Sequence, residues 1–285
     1  MSELITNFTF ITVLLGVSIL GISSGILGVF ALLRDQSLLG DAISHAMLPG
    51  IACAFLLTHS KNPLILLGGG AIAGCIGALL IPYITRHTVI KKDAALGMVL
   101  AVFFGIGLML MTCIQKKSIA NQAILNKFLF GDASTLLRSD VYLMAGLAAI
   151  ILFLVWLFWK ELLLTTFDPL FAKTSGFNVQ RIEQLLIGLL ICAIAIGLQT
   201  VGVVLMSSMI VAPAAAARQW TSSLRLMAKL SAFFGVCAAV SGCIVSSLFN
   251  RIPTGPAVVI ALSIIVLFSL LGAPHRGIVW NRVRT

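Results

Sequence analysis

The sequence predicts an all-α polytopic membrane protein, and three observations carry that prediction. Hydrophobic residues fill 60% of the 285 positions and charged residues 10%, for a mean hydropathy of +1.11, far from a soluble globular composition. Apolar runs long enough to cross a bilayer recur from one end of the chain to the other, separated by short polar connectors. The basic residues behind the net charge of +10 lie in those connectors, where they read as topology signals and carry no nucleic-acid inference.

Taken in order, the runs give nine candidate spans, near 10–33, 37–58, 63–85, 94–115, 140–159, 182–199, 200–218, 230–249 and 255–273. The first follows a stretch without basic residues and is too long for a signal-peptide core, so it is expected to stay as a helix with no cleaved targeting segment. A broken or re-entrant helix at Gln199 and Thr200 would reduce the count to eight. Placing the N-terminus outside assigns about two thirds of the 19 Lys and Arg residues to the cytoplasm, so an N-out, C-in chain is expected. Residues 1–285 read as a single transmembrane domain, without internal repeats and with loops too short to hold an enzyme.

Small residues recur at helical spacing in Gly21 and Gly25 (GISSG) and in Gly70 and Gly74 (GAIAG), ridges that let membrane helices pack closely. The six cysteines, Cys53, Cys75, Cys113, Cys192, Cys237 and Cys243, all lie in apolar runs without a CxxC pair. They are expected to be small buried hydrophobes.

The second span opens with GDAISHAMLPG, residues 40–50. Asp41 and His45 are four residues apart and so share one helical face. On a helix from about Ser37 to Thr58, His45 lies close to the bilayer midplane, where an ionised Asp on a lone helix costs about 3 kcal/mol. Both groups therefore need a cavity or a partner. Pro49 has no N–H for the His45 carbonyl, and Gly40 and Gly50 let other backbone approach. Carboxylate, imidazole and a freed carbonyl on one side suit a divalent cation. The competing reading makes Asp41 a helix N-cap and His45 a packed residue bonded to it.

Two connectors stand out. The external stretch from Gln115 to Asp140 holds Phe128-Leu129-Phe130-Gly131-Asp132, which reads either as a short interfacial helix with a glycine turn or as a plain connector. The cytoplasmic FDPLFAKTSGF has Asp168 as N-cap, Pro169 at the first helical position and Gly176 just past the end. These residues predict a short helix outside the bilayer, with Leu170 and Phe171 as an apolar grip for a partner or the membrane surface, and Lys173 within it. In the seventh span, VGVVLMSSMIVAPAAAARQW, Pro213 frees the carbonyl of Met209 near Ser207 and Ser208. That helix either lines the same path or kinks for packing.

Together LLGDAISHAMLPGI, FLFGD, FDPLFAKTSGF and VGVVLMSSMIVAPAAAAR resemble the membrane subunits of bacterial ABC importers for manganese, zinc and iron. The resemblance spans positions 38–218 and implies the type II importer permease fold shared with cobalamin permeases, in the bacterial cytoplasmic membrane. It implies two permease copies, or two related subunits, around a central path, with metal contacts on Asp41 and His45. It also implies cytoplasmic ATPase subunits gripped by the helix at Asp168 and an extracytoplasmic metal-binding protein as the further partner. No GxxxxGK[ST] loop occurs here, so ATP is expected to be hydrolysed on a separate subunit, and the chain itself is expected to be no enzyme and to hold no covalent cofactor. Mn(II) is the expected cargo, with Zn(II) and Fe(II) behind it. Lys61, Lys116, Lys117 and Arg251 are the external cations expected to meet the binding protein. The rival class, an ion-coupled carrier or channel without an ATPase, has no use for a loop helix. An intramembrane hydrolase is the less favoured rival: no HExxH occurs, and the GxSxG pattern occurs as GISSG (Gly21–Gly25) inside the first apolar span.

Overall fold

The computed structural model describes residues 8–60, 62–116, 131, 136–248 and 253–274. Eleven helices make up the fold among these residues: α1 (Phe8–Leu33), α2 (Leu39–Thr58), α3 (Pro63–His87), α4 (Lys92–Gln115), α5 (Arg138–Leu157), α6 (Trp159–Phe167), α7 (Pro169–Thr174), α8 (Val179–Thr200), α9 (Val203–Trp220), α10 (Leu224–Leu248) and α11 (Thr254–Gly272). Local chemistry sets several starts. The Asn62 side chain accepts the Leu64 N–H at 3.1 Å ahead of Pro63, Asn178 accepts that of Arg181 at 3.1 Å, and the Asp140 carboxylate accepts the Leu137 N–H at 3.1 Å.

Among the described residues eight of the helices are long and apolar enough to cross a membrane; α9 is an 18-residue helix with paired serines and Arg218. Its course returns across the bundle. The chain leaves α8 at Val201, reverses at Gly202 with φ +84°, and brings Arg218 into a small cavity of about 140 Å³ shared with Leu33 at the end of α1 and Phe167 at the end of α6. Trp220 Nε1 then donates to Ser269 Oγ at 3.0 Å, which joins the C-terminal ends of α9 and α11. The expected division near Gln199 and Thr200 is thus a true break, moved two residues on to Val201 and Gly202.

Lipid tails are as apolar as leucine, so close packing and not burial from water has to hold such helices together. At the Gly21–Gly25 ridge, α1 meets α10: a Cβ on Gly21 would stand 2.8 Å from the Gly235 carbonyl, and Ser231 Oγ donates to the Gly25 carbonyl at 2.7 Å. Gly28 lies directly on the Ile210 carbonyl of α9. The Gly70–Gly74 ridge packs on Met47 and Ile51 of α2, and Gly50 and Gly69 bring the α2 and α3 backbones into contact. From the far side Gly107 of α4 seats Leu48 and Pro49. As a result 78% of the most apolar stretch of α2 is buried, against 22–56% for the other seven candidate crossings.

Several expectations are corrected. Helix α2 starts at Leu39 and not at Ser37, so Asp41 lies in its first turn, where free N–H groups and the positive end of the helix dipole favour a carboxylate. The fifth span ends at Leu157 and is followed by a separate helix, α6, which the hydropathy of 140–159 did not resolve. Only Cys243 is buried; Cys53, Cys75, Cys113 and Cys192 are exposed on the chain's surface and Cys237 is half-buried. An apolar run does not reveal which of its faces meets lipid and which meets protein.

Leucine at Gly28 or Gly50 would drive a side chain into facing backbone, an overpacking that costs at least about 1–3 kcal/mol. Both variants should lose the monodisperse folded protein in detergent gel filtration and melt lower. Gly146→Leu, with no atom within 4 Å of its Cβ position, should behave as wild type.

Candidate metal station and loop helix

Helix α2 brings Asp41 and His45 together: His45 Nε2 lies 3.3 Å from Asp41 Oδ1. The Asp41 side chain is 28% exposed and that of His45 11%. The helix N-cap is Leu38, which gives no side-chain bond, so the capping role considered for Asp41 does not hold. Behind the pair the imidazole meets the ring of Phe104 on α4 edge-on, with centroids 4.6 Å apart. His45 Nδ1 is buried without a hydrogen-bond partner. A buried polar atom of this kind costs about 1–3 kcal/mol, so its retention calls for a reason. Ser44, by contrast, is satisfied within the helix, donating to the Gly40 carbonyl at 2.6 Å.

Pro49 is enclosed in the same helix, and its missing N–H leaves the His45 carbonyl without the usual i+4 donor. Gly40 packs on the Ile210 side chain of α9, so the close approach expected there is to a side chain, while that at Gly50 is to backbone. The described residues hold no group of three or more His, Cys, Asp and Glu that could bind a metal. The pair therefore offers two side-chain donors, fewer than the four to six a divalent transition metal takes.

The loop helix α7 forms on the residues read for it. Asp168 Oδ1 accepts the Phe171 N–H at 2.8 Å, and Pro169 occupies the first turn. At the other end Gly176, with φ +87°, donates to the Lys173 carbonyl at 3.2 Å and Phe177 to that of Ala172 at 3.0 Å, the Schellman pattern. Ala172 is buried, whereas Leu170 is 77% and Phe171 57% exposed. Lys173 is also exposed.

At the same end of the bundle is a polar cluster that sequence reasoning missed. Arg34, seen only as a topology signal, donates through Nη2 to Thr165 Oγ1 at 2.7 Å and through Nε to Thr166 Oγ1 at 3.1 Å. Burial lowers the Arg34 pKa from its ordinary value, and Glu183 acts in the opposite direction. Gln36 Nε2 approaches Glu183 Oε1 at 3.5 Å, and Lys92 pairs with the same oxygen at 3.6 Å. The threonine pair directly before FDPLF was the available signal. Of the docking cations, Lys116 is exposed at the end of α4; Lys61, Lys117 and Arg251 lie outside the described residues, as does all of Phe128–Asp132 except Gly131.

Comparison with known proteins agrees with this architecture. The chain is 47% identical to the zinc transport system membrane protein TroC of Treponema pallidum (strain Nichols), over 99% of this chain and 96% of that one. It is 44% identical to the manganese transport system membrane protein MntC of Bacillus subtilis (strain 168), over 95% of this chain and 62% of that longer protein. Its fold superposes on a chain of PsaBC from Streptococcus pneumoniae, solved in complex with Fab, with a TM-score of 0.87 and 32% identity, covering 100% and 99% of the two chains. Residues 7–273 match the ABC 3 transport family. With eight apolar crossings and relatives from bacterial membrane transport systems, the chain is a multi-pass protein of the bacterial cytoplasmic membrane and belongs to the ABC 3 transport family.

Proposed function

We propose that this chain is the membrane-spanning subunit of an ATP-driven importer of a divalent transition metal, Mn(II) or Zn(II), and that Asp41 and His45 are its contacts along the path. The observation that carries the reading is the pair itself: two donors 3.3 Å apart on the most enclosed helix, one with an unpartnered buried ring nitrogen. Two donors make half a site. A second permease, identical or related, would supply the other half across a central path, and the carbonyl freed by Pro49 and water would complete the shell.

The relatives' names support both metals, and a carboxylate with an imidazole accepts either. Such ligands alone favour zinc over manganese in the Irving–Williams order, so we assign selection to an extracytoplasmic binding protein that delivers the ion. Fe(II) suits the same donors. We place the basic end, with Arg34, Lys92, Arg218 and α7, in the cytoplasm, and thus the N-terminus outside. There Leu170 and Phe171 would sit in a groove of a separate ATPase subunit, whose ATP-driven closure opens the path inward. Mn, Zn and Fe uptake in competition, by the complex reconstituted in liposomes, would decide the cargo.

Asp41→Ala and His45→Ala should each reduce uptake by at least roughly 100-fold, since even outer-shell partners of metal ligands cost about 10–100-fold. Assembly with the ATPase should persist, and wild-type uptake in both variants would remove the station. Leu170→Glu or Phe171→Asp should strip the ATPase during co-purification or uncouple hydrolysis from uptake. Should α7 merely rest on lipid, both variants would retain the ATPase at wild-type levels. For the outer face, reversing Lys116 and Lys117 to Glu should slow binding-protein association several-fold at low salt and little at high salt. An unchanged on-rate at low salt would take these two residues out of the docking surface.

A further inference from the structure

Between α1 and α2 the chain turns within five residues, and that turn is tightly held. Asp35 takes φ +54°, the Gln36 N–H donates to the Ala31 carbonyl at 3.0 Å, and the Leu39 N–H, at the start of α2, donates to the Gln36 carbonyl at 3.0 Å. The first turn of α2 is therefore tied through Gln36 to the end of α1. Asp41 lies two residues beyond Leu39.

From this turn Arg34 reaches across 131 and 132 positions of sequence to the hydroxyls of Thr165 and Thr166. Those residues form the last turn of α6, and two residues later Asp168 caps α7. Each hydroxyl donates back to its own helix, Thr165 to the Glu161 carbonyl at 2.8 Å and Thr166 to the Leu162 carbonyl at 2.6 Å. With their protons committed inward, both oxygens face Arg34 as acceptors. The planar guanidinium fork spans the pair with two nitrogens, as a lysine ammonium on its flexible stem cannot. Trp159 at the start of α6 also meets Phe30 of α1 edge-on at 5.6 Å, so α6 is fixed to the end of α1 at two points. On its other side the turn touches Glu183 of α8 through Gln36, which is 4% exposed.

We propose that Arg34 is the positioning residue that carries movement of the α6–α7 segment into α2, and so changes the disposition of Asp41 and His45 during the transport cycle. This rests on the reading of α7 as the ATPase-gripping helix. The connection is continuous: α7 shares the Asp168 junction with α6, α6 holds Arg34 through two hydroxyls, and the Arg34–Leu39 turn ends in the first turn of α2. Arg34 is neither one of the two proposed metal contacts nor part of the exposed grip of α7, so its loss should separate hydrolysis from uptake without removing a ligand.

The test uses the full complex of permease, ATPase and binding protein in liposomes, with Mn(II) and, separately, Zn(II) as cargo. Uptake per ATP hydrolysed is measured for Arg34→Gln, Arg34→Lys, the double variant Thr165→Val/Thr166→Val, and the combination of Arg34→Gln with both valines. ATPase co-purification should stay at the wild-type level while uptake per ATP falls roughly tenfold in Arg34→Gln and in the double valine variant, within the usual range of site-to-site coupling. The combination should be no worse than either alone, because all remove the same link. Arg34→Lys should recover part of the ratio. Should Arg34→Gln fail to assemble, the valine pair carries the test alone, since it keeps the guanidinium and the side-chain volumes. An unchanged ratio in the valine pair, or losses that simply add, would overturn the relay. Retention of the ATPase by Leu170→Glu would instead overturn the reading of α7, and the two failures are distinguishable.

Discussion

A helix that carries a carboxylate and an imidazole can remain in a bilayer only if protein or water, and not lipid, surrounds the polar groups. The arrangement of this fold follows from that constraint on α2. Helices α3, α4 and α9 close around it through Gly50, Gly69, Gly107 and the Ile210 contact at Gly40, making it the most enclosed of the apolar crossings. The Gly21, Gly25 and Gly28 ridge of α1 in turn locks α9 and α10 into place behind it. Helix packing here depends on small residues because the membrane removes the usual reward for hiding apolar side chains. What remains polar within that enclosure, Asp41 against His45, is then conspicuous.

The two ends of the bundle differ in chemistry. One end gathers Arg34, Lys92, Glu183, Arg218 and the capped loop helix, with an ion pair and charge-assisted hydrogen bonds that link the termini of α1, α4, α6 and α8. Lys92 and Glu183 are each about a third or more exposed, so their pairing contributes little to stability and more to register. Arg34 is half-buried and bonded to two hydroxyls, a tie of a different kind. The exposed Leu170 and Phe171 complete that end with an apolar surface unsuited to water. Force applied to α7 has a short route through α6 to the turn before α2.

Much of this was legible in the residues. Asp41 and His45 at i and i+4 had to share a face, and Asp168, Pro169 and Gly176 marked both ends of α7 because capping is decided within a few residues. The glycine ridges were readable for the same local reason. What remained hidden is tertiary. Hydropathy treats lipid-facing and protein-facing sides alike, so the exposed Cys53, Cys75, Cys113 and Cys192 read as core, and α6 merged into the span before it. No local pattern could join Arg34 to threonines more than 130 positions away. The start of α2 was set two residues early, at Ser37, because no capping side chain marks the true start at Leu39.

The most direct test of the central claim, that Asp41 and His45 bind the transported ion, is anomalous X-ray scattering from crystals of the complete transporter loaded with Mn(II), with a parallel Zn(II) set. The account predicts one peak on the path between two permease subunits, within about 2.0–2.4 Å of an Asp41 oxygen and a His45 ring nitrogen. The peak should vanish in His45→Ala while the ATPase stays bound. A peak bound by other residues with α2 bare, or one that survives loss of both side chains, would contradict it.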